Sequence, residues 1–174
     1  MRIENRWTTG LLRIAILGLA STSVSLGQDL QTENIPVEVQ TEVRTDSFEN
    51  SYSLSRRINP FYLRGDFDGD GKPDYAVAIT SKSDNTRGIA IWLSAQKKTF
   101  VLGAGNPFKY GAGPSKDLNF DVWYVYGKHP VNQGVTDEAP PKLIGEAILV
   151  EKSESASGLV YWNGKKFSWY QQGD

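Results

Sequence analysis

Ten consecutive residues, Gly65-Asp66-Phe67-Asp68-Gly69-Asp70-Gly71-Lys72-Pro73-Asp74, constrain this chain more than any other part of it. Four carboxylates stand at positions 1, 3, 5 and 9 of a nine-residue span, with glycine at 6. Two like charges about 4 Å apart repel by on the order of 4 kcal/mol at an effective dielectric of 20. A loop so composed stays open to solvent or takes up a cation. Gly69 and Gly71 let the backbone turn without a Cβ penalty. Alternate residues of such a tight turn direct their oxygens toward one centre, which suits calcium, a hard ion that takes six to eight oxygens. Magnesium holds its own waters more tightly and fits an all-protein cage less well.

The flanks of the loop decide what surrounds it. Phe61-Tyr62-Leu63 precedes it, and Tyr75-Ala76-Val77-Ala78-Ile79-Thr80 follows, a run of small apolar residues expected to form a strand covered on both faces. An EF-hand would need helices on both sides and a bidentate Glu at the twelfth position, which here is Val77. The loop is therefore expected to join two strands.

In that setting, the run from Gly65 to Val77 resembles the calcium loop of FG-GAP/VCBS-type repeats, the repeats of integrin-like β-propeller blades. The resemblance covers one copy, roughly residues 61–103. It implies a loop between the first two strands of a four-stranded blade, with Asp66, Asp68, Asp70 and Asp74 as side-chain ligands of Ca2+ and Lys72 as a carbonyl ligand. The C-terminal stretch Tyr161 to Phe167, with Gln171-Gln172-Gly173-Asp174, is similar to the ending of small exported bacterial proteins, a likeness that implies no activity.

The remainder of the chain supplies strands and turns. Asp84 to Gly88 is a turn cluster, followed by strand patterns at Ile89–Leu93 and Thr99–Leu102. Further on, Phe120 to Tyr126 alternates and Glu146 to Val150 is apolar. Leu159 to Tyr170 is expected to be a hairpin, its Asn163-Gly164 pair supplying a two-residue type I′ turn. That turn would pair Trp162 with Lys165 and Val160 with Phe167, with Trp169 on the same face, the core side. Trp162, beside the turn, is expected to be the exposed tryptophan; Trp92, Trp123 and Trp169 belong to a core. The stretch Gly103–Pro114 and the proline-bearing stretch His129–Lys142 are expected to be surface loops. Gly103–Gly113 has no phosphate-binding glycine order.

The expected fold is mainly β, with antiparallel sheets of about seven to eight strands built from blade-like four-stranded meanders, and one short N-terminal helix as an option. Residues 1–27 have the three parts of a signal peptide: Arg2, Arg6 and Arg13, then an apolar run from Ile14 to Ala20, then Ser25-Leu26-Gly27 before Gln28. The apolar run is shorter than the roughly 20 residues of a membrane span. Residues 28–59 form a polar arm or short helix, and 60–174 one β domain with the calcium loop at 66–74. Export to the periplasm or medium follows from the signal, with no transmembrane segment in the mature chain.

Charge and composition narrow the chemistry. The 174 residues carry 19 Lys+Arg, 20 Asp+Glu and one His, a formal charge of −1 that gives no basic surface for nucleic acid. Loss of residues 1–27 removes three Arg and one Glu and leaves −3, a value that a bound Ca2+ would return to about −1. Cysteine is absent, which excludes disulfides, thiolate nucleophiles and thiolate metal sites. The single histidine, His129, adjoins Pro130 in an expected loop, and no Gly-x-Ser-x-Gly elbow is present. These observations favour a non-catalytic, calcium-stabilised binding or interaction module with a protein or glycan partner in the cell envelope. The alternative is a glycan-directed envelope hydrolase with calcium near its cleft, which requires a carboxylate pair outside the loop.

Overall fold

Short apolar runs with period two become strands, and the turns between them keep neighbours in sequence adjacent in space. A computed structural model describes residues 34–173. The expected signal segment 1–27 lies outside the described residues, as does the start of the polar arm. In chain order the elements are α1 (Val37–Val43), α2 (Asp46–Ser51), β1 (Tyr52–Leu54), β2 (Tyr62–Gly65), β3 (Asp74–Ser81), β4 (Arg87–Leu93), β5 (Lys98–Gly103), β6 (Phe108–Tyr110), β7 (Gly113–Ser115), β8 (Val122–Tyr126), β9 (Ala147–Lys152), β10 (Ala156–Trp162) and β11 (Phe167–Gly173). The chain is mainly β, with antiparallel pairing throughout.

Two four-stranded meanders dominate. β2-β3-β4-β5 forms the first, and β8-β9-β10-β11 the second. β1 adds to the first sheet end to end with β2. It pairs with β3 from Ile79 to Ser81, while β2 pairs from Asp74 to Val77. A separate ribbon, β6-β7, lies against β11, with the Tyr110 and Trp169 rings 4.8 Å apart.

The inner faces of the two meanders share one core. Leu63, Ala76, Ala78, Ile89 and Ile91 of the first sheet pack in one cluster with Trp123, Ile148, Val160, Phe167 and Trp169 of the second. The Trp123 indole donates to the Pro60 carbonyl at 2.7 Å, which ties β8 to the approach to β2. On the outer side of the first sheet, Tyr75, Val77, Ile79 and Trp92 are covered by Val39 and Phe48 from α1 and α2. Neither helix has a side-chain N-cap bond, so tertiary burial of those two residues holds helices of seven and six residues that would not persist alone. On the outer side of the second sheet, Leu149, Leu159 and Tyr170 lie under Val131 and Leu143 of the 127–146 connection. β3 is thus covered on both faces, as its unbroken apolar run requires.

The structure departs from the sequence expectations in the following places. Eleven strands are present among the described residues instead of seven to eight, because β1, β6 and β7 are three-residue pieces too short to show alternation. Where the sequence left a polar arm or one short helix open, two short helices stand among the described residues, divided at Arg44-Thr45. The glycine-rich stretch 103–114, expected to be a loop, contains β6 and most of β7, joined around Gly111 at φ 64°. Finally, the β10–β11 hairpin pairs Trp162 with Phe167 and Val160 with Trp169. Asn163 Oδ1 accepts from the amides of Lys165 and Lys166, each at 3.0 Å, and so opens a four-residue loop in place of the two-residue turn. The shift is by two residues, so the core face keeps its members. Trp162 is consequently buried, edge-on to Phe100 and Phe167, and is not the exposed tryptophan.

Candidate metal centre

The acidic loop closes the first hairpin of the first meander. Gly65 at the end of β2 pairs with Asp74 at the start of β3, so residues 66–73 must turn within a narrow opening. Positive φ at Gly69 (81°) and Gly71 (83°) permits it. Phe67 points inward and is fully buried in the shared core, which anchors the middle of the loop's first half.

Carboxylates then organise the backbone around them. Asp66 accepts from the amides of Gly69 (2.8 Å) and Gly71 (3.1 Å), Asp68 from that of Asp70 (3.2 Å), and Asp70 from that of Lys72 (2.8 Å). These are side-chain-to-backbone turns of the kind short acidic residues favour. Asp74 reaches back across the loop to the Phe67 amide (3.0 Å) and sideways to the Ser94 amide (2.8 Å). Gln96 donates to the second oxygen of Asp68 at 2.8 Å.

Three of the four expected carboxylates come together. One oxygen each of Asp66, Asp68 and Asp74 lie within 4.8 Å of one another, and the last two residues are buried. Asp70 stands exposed outside this group, and Lys72 is exposed beside it. Burial pushes the Asp74 carboxyl up from 3.8 to about 6, and the neighbouring Asp68 charge adds to the rise; the amides of Ser94 and Phe67 oppose it. A buried acid held beside two further carboxylates is stabilised by a positive ion at their common centre. The donors are all oxygen, so the cluster suits a hard cation.

Three further residues, Ser94, Gln96 and Glu146, contribute to the site without belonging to the acidic motif. Ser94 follows β4, and the Tyr75–Trp92 pairing carries it opposite Pro73, to whose carbonyl its hydroxyl donates at 2.6 Å. Extending the β3–β4 pairing by two residues would have found it. Gln96 and Glu146 left no signal. Glu146 lies 80 residues from Asp66, yet its carboxylate accepts the Asp66 amide at 2.8 Å.

Elsewhere, His129 is exposed, with its ring 4.2 Å from that of Tyr126. A cleft of about 450 Å³ between β6, β11 and residues 135–138 contains one carboxylate, Glu138, which is ion-paired with Lys109. Among the described residues no helix is long and apolar enough to cross a membrane. Comparison with models of known families, with characterised proteins and with solved structures finds no match to this chain.

Proposed function

We propose that this chain is an exported calcium-binding β domain, a non-catalytic binding or interaction module of the cell envelope whose ion is structural. The convergence of Asp66, Asp68 and buried Asp74 within 4.8 Å carries the reading. Asp70 and the carbonyl of Lys72 complete the proposed ligand set. Calcium is preferred to magnesium because the donors are anionic oxygens on alternate residues of a glycine-rich turn, a setting that suits high and irregular coordination. When bound, the ion neutralises the cluster and fixes the β2–β3 turn.

Two further observations support it. The loop lies between the first two strands of a four-stranded antiparallel meander, which is where the resemblance to FG-GAP/VCBS-type repeats expects a calcium loop. The Glu138 cleft offers one carboxylate, already paired with a lysine, where a glycosidase uses two. The partner is a protein or glycan outside the cytoplasm, and nucleic acid is not expected. Export rests on residues 1–27 and predicts a mature protein beginning at Gln28; N-terminal sequencing of exported material that begins at Met1 would contradict it.

Isothermal titration tests the site itself. Calcium should bind at one site, with a Kd of about 10⁻⁴–10⁻³ M if the loop behaves as other extracellular modules do. Magnesium should bind more weakly. Absence of calcium heat and of any calcium-dependent stability would overturn the proposal.

A further inference from the structure

Beyond the loop itself, the metal centre is pressed against the second sheet. Asp66 and Glu146 exchange two hydrogen bonds: the Asp66 amide donates to Glu146 Oε2 at 2.8 Å, and the Glu146 amide donates to the Asp66 carbonyl at 2.7 Å. Glu146 immediately precedes β9, an inner strand of the second meander. The backbones on either side approach so closely that a Cβ on Gly145 would sit 2.4 Å from the Asp66 carbonyl, and one on Gly69 would sit 2.5 Å from the Ile144 carbonyl. Residues 144–146 thus rest directly on the acidic loop.

We infer that Glu146 is a positioning residue for the metal centre, and that through it the ion clasps the two sheets together. This rests on the calcium reading above. Glu146 is not among the three carboxylates that converge, so it acts through Asp66. By holding the Asp66 amide from outside, it fixes the backbone from which the Asp66 carboxylate reaches inward. The coupling is reciprocal, as linkage demands: whatever Glu146 contributes to ion affinity, the ion returns to the contact between the acidic loop and the start of β9. The contact joins residues 80 apart in sequence, so strengthening it constrains the whole fold and not the hairpin alone.

The test compares wild type, Glu146→Ala, Glu146→Gln and the control Glu138→Ala by calcium titration, with near-ultraviolet circular dichroism in excess calcium to establish that each is folded. Loss of a partner just outside the ligand set weakens metal binding about 10–100-fold. Glu146→Ala should fall in that range. Glu146→Gln, which keeps an oxygen for the Asp66 amide, should recover most of the affinity, and Glu138→Ala should match wild type. Hydrogen exchange supplies a second readout: calcium should slow the Glu146 amide and those of β9 as well as the amides of 66–74. If wild type binds calcium and Glu146→Ala binds it equally well, or if calcium protects only 66–74, the clasp is wrong while the calcium site stands. If wild type binds no calcium, the underlying reading itself fails.

Discussion

Asp74 joins the acidic loop to the body of the fold. Its two oxygens satisfy amides on opposite sides, Phe67 in the loop and Ser94 beyond β4, while its charge is buried beside Asp68. Its carboxyl is raised to about 6 in the metal-free chain, so protonation stabilises that form. The contribution is complete below about pH 4 and is lost as pH rises through 6. In chelator, the stability of wild type relative to Asp74→Asn should therefore fall between pH 5 and pH 7.5, as measured by urea unfolding. Calcium reverses the direction, because it binds the ionised acid. Its affinity should be about tenfold weaker at pH 5 than at pH 7.5, a direct proton competition visible by titration. Asp74→Ala should be the most damaging change in the loop, since it orphans two amides at a cost of about 1–3 kcal/mol each.

At the scale of elements, the acidic hairpin turn separates two effects that its glycines combine. Gly71 has a positive φ and open space around its Cβ position, so Gly71→Ala should cost only the left-handed penalty of about 1–2 kcal/mol. Gly69 has a similar φ, but its Cβ would meet the Ile144 backbone. Gly69→Ala should destabilise more and also weaken calcium binding; thermal melts and titrations of the two variants side by side check the contrast. The turn and its flanking strands were legible in sequence because spacing and period are local properties. The contacts of Gln96 and Glu146 with the loop were not, since nothing near 96 or 146 marks a neighbour that only tertiary folding supplies. The β10–β11 hairpin shows the intermediate case: Asn163-Gly164 announced a turn, but the side chain of Asn163 chose its length by capturing two amides. β1, β6 and β7 escaped because three residues cannot display a period.

For the molecule as a whole, the two meanders depend on each other. Trp123, Phe167 and Trp169 from the second sheet fill the same core as Phe67 from the acidic loop. Trp123→Ala should cost about 3–5 kcal/mol, because it opens a cavity and also removes the donor to Pro60; denaturant unfolding measures it, and loss within 1 kcal/mol would contradict the shared core. With no cysteine in the chain, disulfide cross-links are unavailable, and the proposed ion occupies a comparable place by joining the β2–β3 turn to the sheet behind it. The chain's near-zero net charge conceals this, since four of its acids lie in nine residues.

Thermal unfolding in calcium against chelator tests the central claim most directly. Free calcium at 100 times Kd stabilises a single-site protein by about 2.7 kcal/mol. For a chain of this size that raises Tm by about 5–10 °C. The account predicts such a rise with calcium, a smaller one with equal magnesium, and none in Asp74→Asn; an unfolding temperature the same in calcium and in chelator would contradict it.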